Sequence, residues 1–386
     1  MSGPLVVAHR YPVWLGTTLK WLYDQIRLLP PEIESHVICE RTENLDRFPW
    51  VHLHALEKES RCTSLRDTVG RRLWRNHLRF TDRVCREVGA AVLHSHFGDV
   101  AWGDVGAAKR ANIAHIATFY GVDVRGLPTR DPRWYRRYLE LFESVDRVLC
   151  EGPFMAAAVA ELGCPPEKIT VKPLGLDVAA FEYRPRQWRS GQPLRVLMAG
   201  SFREKKGFPD AIEALGRLKR LRPKLNLQVT ILGDATPDAA SQAEKTRILG
   251  ALEAWKIEAN LLGYRPHSDL MAAYGEHDLF LSPSRTASDG DTEGGAPVSI
   301  IEAAAVGMAI GSTTHADIPF VLPKAMKPLL APEGDAAALA QRLDVLLDTE
   351  WAPLLDAQRK RVEQEFSGEI LATRLAGIYR EVGSPK

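Results

Sequence analysis

At 386 residues the chain exceeds what one hydrophobic core ordinarily organises, and 45% hydrophobic with 26% charged residues is the composition of a soluble globular protein. A net charge of +1, with 27 basic and 23 acidic side chains in residues 1–190 and 23 and 26 in the rest, gives no reason to expect nucleic acid as a partner. No apolar run approaches the ~20 residues of a membrane span, and residues 1–10 lack the pattern of a signal peptide, so a cytoplasmic protein is expected.

In chain order, short apolar runs fall at Leu5–Ala8, His36–Cys39, Val51–Leu56, Ala90–His94, His115–Phe119, Arg147–Cys150 and Ile169–Pro173. A second series follows at Leu194–Ala199, Leu227–Leu232, Asn260–Leu262, Leu279–Ser282 and Met308–Gly311. Runs of this length, rich in Val, Ile and Leu and separated by helical periodicity, predict parallel strands buried on both faces. Pro209 opens one intervening helix, and Leu339, Leu343 and Leu346 share the apolar face of another. Between the two series, Tyr183 to Pro193 is polar and rich in Pro and Gly, which predicts a linker. The pattern implies two doubly wound α/β domains, residues 1–183 and 194–365, with ligands beyond the C-terminal ends of the strands in a cleft between facing sheets. Neither G-x-G-x-x-G nor a P-loop motif occurs, which argues against dehydrogenase and P-loop chemistry. The five cysteines never form C-x-x-C, so they are expected to pack as small hydrophobes.

Thr292 to Met308 carries the most chemistry. Glu293 precedes a glycine turn through Gly294 and Gly295 to Ala296, and Pro297 suits the first position of a helix that Gly307 ends. The amides of Val298 and Ser299 are then free to hold an anion. Glu293 and Glu302 are carboxylates that can each accept from two sugar hydroxyls. Taken alone, these residues read equally well as a capped helix with incidental acids.

The segment Glu293-Gly-Gly-Ala-Pro…Glu302-Ala-Ala resembles the E-G-x-P…E-A motif of retaining GT-B glycosyltransferases of family 4. Ser201-Phe-Arg-Glu-Lys-Lys-Gly207, Leu281-Ser-Pro-Ser284, Lys172-Pro-Leu-Gly-Leu-Asp177, His94-Ser-His-Phe-Gly98 and Thr118-Phe-Tyr-Gly-Val-Asp123 resemble other segments of that family in the same order. The branch most similar makes extracellular and capsular polysaccharides. The resemblance implies two Rossmann-like domains, with the last helix, residues 366–386, crossing back to the first. It implies hexosyl transfer with retention from a nucleoside-diphosphate sugar, UDP first and GDP next, to a glycan or lipid-linked acceptor, without a metal or other cofactor. Lys206 would neutralise the diphosphate, Val298 and Ser299 hold the phosphates, Glu302 the ribose and Glu293 the donor sugar. Tyr264 and Arg265 would border the base, and Gly16 and Thr17 approach the phosphates from the first domain. Gly200, Ser201 and Gly233, at strand ends, belong with the donor site, and His96, Tyr120 and Asp123 with the acceptor.

Three departures stand out. Ser201 occupies the place of the family arginine, leaving Arg203 as its replacement; Tyr120 stands for a histidine; and eight residues rather than seven separate Glu293 from Glu302. The extra residue falls within Gly294–Ala296, so Asp291 becomes a second candidate for the role of Glu293. These departures keep open a nucleotide-sugar-binding subunit that has lost transfer, or an epimerase acting on the nucleotide sugar. His94 and His96 point to one side of their strand, but no third ligand has suitable spacing, so they are expected to be cleft or core histidines. Arg71, Arg75, Arg79 and Arg83 with Leu73, Trp74, Leu78 and Phe80, and Arg133-Trp-Tyr-Arg-Arg-Tyr138, suggest either peripheral membrane contact or a solvated arginine face over inward aromatic rings.

Overall fold

The apolar runs are parallel strands in a computed structural model that describes residues 3–16, 19–60, 65, 67, 69 and 78–384. The first seven are β1 (Leu5–Arg10), β2 (Ile33–Cys39), β3 (Leu53–Ala55), β4 (Val92–His96), β5 (Ala114–Thr118), β6 (Arg147–Cys150) and β7 (Ile169–Val171). They form one sheet in the order β3-β2-β1-β4-β5-β6-β7. The second sheet holds β8 (Leu194–Ala199), β9 (Leu227–Leu232), β10 (Ala259–Gly263), β11 (Leu279–Ser282) and β12 (Ala309–Ser312), in the order β10-β9-β8-β11-β12. Counted from its own first strand, each sheet begins 3-2-1-4-5, the doubly wound Rossmann order.

Helices named below are α1 (Arg79–Glu87), α2 (Arg133–Ser144), α3 (Phe208–Leu221), α4 (Ala239–Trp255), α5 (His267–Glu276), α6 (Val298–Val306) and α7 (Gly368–Gly383). The chain divides into two units, Met1–Asp177 with Ser367–Lys386, and Val178–Phe366. In the first, neighbouring residues of β1 serve opposite faces. Val7 packs with Val92, Ile116 and Leu149 against Leu375, Ala376 and Tyr379 of α7, while Ala8 packs with Ile38 and Leu93 against Phe80, Val84 and Cys85 of α1. Burial on both faces is why these strands read as continuous apolar runs, each Val or Leu contributing about 1.5–3 kcal/mol. The last helix is thus part of the first unit's core, and the Gly368 amide donates to the Leu176 carbonyl at 2.6 Å.

The segment expected to be a linker is bound along the second unit, and the division falls earlier, at Asp177–Val178. Tyr183 donates to Asp356 (2.6 Å), the amides of Arg184 and Arg186 donate to the carbonyls of Val306 and Gly307, and the Arg186 guanidinium donates to those of Tyr274 and His277. Carbonyls at the ends of α5 and α6 have no partner inside their helices, and an arginine fork supplies one.

Cys39, Cys85, Cys150 and Cys164 are buried; Cys62 lies outside the described residues. Arg71, Leu73, Trp74 and Arg75 also lie outside them. Around Arg133–Tyr138 the rings divide: Tyr138 is buried, Tyr135 is exposed, and the Arg137 guanidinium stacks over Trp102 and Trp134 at 4.7 and 4.6 Å. Among the described residues no helix is long and apolar enough to cross a membrane.

Candidate functional site

The second unit gathers most of the predicted residues where its strands end. β8 runs into Gly200 and β9 into Gly233, and the two backbones touch. A Cβ on Gly233, whose φ is +137°, would sit 1.9 Å from the Gly200 carbonyl oxygen, so only glycine fits. After Gly200, half-buried Ser201 and Phe202 lead to a turn at Glu204–Lys206 ahead of α3, and the Lys206 stem returns over Gly200.

Lys206 Nζ donates to Glu293 Oε2 at 3.0 Å, and Ser284 Oγ donates to the other carboxylate oxygen at 3.1 Å. The Glu293 side chain is 7% exposed. Burial works to raise its pKa, but the charges of Lys206 and Lys205 outweigh that and hold the carboxyl below its usual range. The Glu293 amide donates to His315 Nε2 (3.2 Å), and His315 Nδ1 in turn bonds Glu333. Asp291 instead binds Lys205 Nζ at 3.2 Å. The lengthened turn is absorbed at Gly294, in the left-handed region at φ +77°, whose amide donates to Thr292 Oγ1, while Gly295 donates to the Glu293 carbonyl. Glu293 therefore faces Lys206, and Asp291 belongs to the adjacent lysine.

Through Ala296 the loop reaches α6. Pro297 is the residue before the helix rather than its first, and no acceptor is recorded for the Val298 and Ser299 amides among the described residues. Such first-turn amides are anion-ready. Glu302, within α6, has both oxygens engaged, by His267 Nε2 and by the Tyr274 hydroxyl, each at 2.9 Å. Lone pairs on both oxygens stay free for hydroxyl groups. Tyr264 is half exposed at the end of β10, and Arg265 Nε donates to the Leu262 carbonyl.

Arg203 does not join this constellation. Its guanidinium donates to Asp238 (2.9 Å) and Thr236 (3.0 Å), where Asp238 also caps α4 through the Ser241 amide. A bidentate fork finds a carboxylate there, whereas the carboxylate of Glu293 is taken by the lysine.

In the first unit, Gly16 is half-buried and Thr17 lies outside the described residues. His96 is fully buried: Nδ1 bonds the Tyr120 hydroxyl (2.7 Å) and Nε2 lies 3.4 Å from His9 Nδ1. It supports Tyr120 and is not itself open to an acceptor. His94 bonds Tyr379 and Thr118, both at 2.6 Å, as a core histidine does. A third histidine, His9, lies opposite His94 on β1, and one ring nitrogen from each of the three lies within 4.8 Å of the others. Sequence spacing could not show it, because it comes from a neighbouring strand. Asp123 is corrected as well. Its carboxylate is buried and accepts from the amides of Gly98, Tyr120 and Gly121 at 2.8, 3.0 and 2.8 Å, so it shapes the loop beneath Tyr120 and offers nothing to a sugar.

Residues 193–349 match the family model for glycosyl transferases group 1, and residues 21–180 match that for glycosyltransferase family 4. The chain belongs to the family 4, group 1 glycosyltransferases. WcaL of Salmonella typhimurium, named for colanic acid biosynthesis, is 30% identical over 97% of this glycosyltransferase and 89% of its own length. AmsK of Erwinia amylovora, an amylovoran biosynthesis glycosyltransferase, is 34% identical over 69% and 64%. Anabaena HepE, solved in complex with UDP-glucose, shares the GT-B fold at a TM-score of 0.76 and 14% identity, with 98% of this chain and 100% of that one covered.

Sequence reasoning missed the partners that aim the glycosyltransferase's carboxylates. His267 and Tyr274 are seven residues apart, two helical turns, so α5 presents both on one side. That spacing was legible; its target on α6 was not. Ser284 and His315, which hold Glu293, follow β11 and β12, where ligand-side residues of such sheets gather.

Proposed function

We propose that this glycosyltransferase moves a hexosyl group, with retention, from a nucleoside-diphosphate sugar to a glycan or lipid-linked acceptor in polysaccharide biosynthesis. UDP is the first choice of nucleotide and GDP the next. The loop from Glu293 to Ser299 carries the reading: a carboxylate buried on Lys206 stands at one end, and helix amides without a partner among the described residues stand at the other. The names of WcaL and AmsK support a polysaccharide product, and the HepE complex supports a UDP-linked donor.

Breaking the sugar–phosphate bond builds negative charge on the departing diphosphate and positive charge on the anomeric carbon. Preorganised donors aimed at the first are worth several kcal/mol, about 3–4 for one well-placed donor. The Lys206 ammonium and the amide donors of Val298 and Ser299 offset that negative charge from the protein itself, so the proposed reaction needs no metal ion. Glu293, ionised, contacts the donor sugar, and Glu302, fixed by His267 and Tyr274, takes the ribose hydroxyls. Tyr264 and Arg265 border the base. In the first unit Tyr120 serves the acceptor. On α2, exposed Tyr135 and Leu139 lie among arginines, and we assign to this face the peripheral contact with a membrane that bears the acceptor.

The test is a transfer assay with UDP- and GDP-sugars in chelator, following nucleotide release and the anomeric configuration of the product. Release with retained configuration is expected; inversion, or release only on adding metal, contradicts the proposal. Because Arg203 is held by Asp238, a nucleotide-sugar-binding subunit without transfer is the second reading. Tight nucleotide binding with no product from any donor would favour it.

A further inference from the structure

Away from the residues assigned to donor and acceptor, a second cluster of side chains sits at the edge of the first sheet. β3 is the edge strand, and it pairs in parallel with β2 so that Val37 lies opposite Leu53 and Ile38 opposite His54. The Val37 amide also donates to the His52 carbonyl. Glu34 and His36 alternate along β2, and His52 and His54 alternate along the neighbouring segment, so the two-residue period gives each pair a common face. His36 Nε2 is 2.9 Å from Glu34 Oε1, and the His36 and His52 ring centroids are 4.6 Å apart. Glu34, His36 and His52 each offer one ligand atom, all within 4.8 Å of one another.

We propose that Glu34, His36 and His52 bind a divalent transition-metal ion, zinc in the first place, and that His54 orients His36. Two imidazoles and a carboxylate are a donor set that zinc accepts, with bonds of about 2.0–2.2 Å and ligand atoms roughly 3.3 Å apart in a tetrahedron. The Glu34–His36 contact is already near that spacing. His52 is exposed, so rotation of its side chain closes the set, and solvent fills the fourth position. His36 Nδ1 lies 3.0 Å from His54 Nε2. With a cation on Nε2, His36 carries its proton on Nδ1 and donates it to His54, the outer-shell bond that fixes a ligating ring. The buried trio His9, His94 and His96 is a poorer candidate, since His94 has both ring nitrogens bonded outside the trio, to Tyr379 and Thr118. A cation at Glu34, His36 and His52 would pin the segment leading into the three-residue edge strand to its neighbour.

Calorimetric titration of zinc into the untagged, metal-stripped protein tests this, with His52→Ala as the comparison. His52 is exposed, and equal circular dichroism and melting of the two metal-free proteins checks that the fold is kept. One zinc per chain is expected, with affinity at least about tenfold weaker in His52→Ala, the usual cost of losing a metal-site partner. Zinc should also raise the melting temperature of the wild-type protein and raise it less in the variant. No zinc uptake by the wild-type protein, or equal uptake by His52→Ala, overturns the proposal.

Discussion

Glu293 and Lys206 form a contact that neither residue could keep alone. A carboxylate 7% exposed needs its lysine, and removing one partner from such a pair leaves an uncompensated charge. Glu293→Gln keeps the shape and removes the charge. Transfer should fall at least about 100-fold, equivalent to about 2.7 kcal/mol of transition-state stabilisation, while the fold survives; unchanged turnover would remove Glu293 from the mechanism. The same residue sets a pH signature. Its folded pKa lies below the ordinary value of 4.5, so its contribution to stability is present above that value and is lost as pH falls through the folded pKa. Urea midpoints of wild type and Glu293→Gln, measured from neutral pH into the acid range, should therefore converge at acid pH. A gap that widens on acidification would contradict the assignment.

Elements decide where such residues point. Gly233 ends β9 against the Gly200 carbonyl, and Gly233→Ala must both displace that backbone and hold φ +137°. The expected loss is about 3 kcal/mol in chemical denaturation, in the range of strained backbone and steric conflict combined. A change under about 0.5 kcal/mol would show that the strand ends separate freely. The α5 clamp on Glu302 makes a different kind of prediction. His267→Ala frees one carboxylate oxygen at a half-exposed position, so nucleotide affinity should weaken about tenfold, or about 1.4 kcal/mol, with little change in melting. Equal affinity would deny Glu302 its place at the ribose. Helix α6 was legible in the sequence because glycines, proline and an apolar face punctuate one short stretch. Its clamp was not, since His267 and Glu302 are 35 residues apart and meet only through packing. Arg203 and Asp123 misled for the same reason: their chemistry suits a ligand, but Asp238 and three loop amides reach them first.

Over the whole molecule, the two strand series were readable because parallel strands covered on both faces leave continuous apolar runs, and both sheets open in the same order. The point of division was harder to read. Residues 183–186 are polar and look like a linker, yet they serve as donors to helix-end carbonyls of the second unit. The donor assignment as a whole rests on that unit, and a thermal-shift panel of UDP, GDP and ADP, in chelator, on wild type and Lys206→Ala tests it most directly. UDP should raise the wild-type melting temperature without metal, by the linkage of binding to folding, and the shift should largely vanish in Lys206→Ala. No shift with any nucleotide, or an equal shift in the variant, would contradict a diphosphate held by Lys206 and the α6 amides.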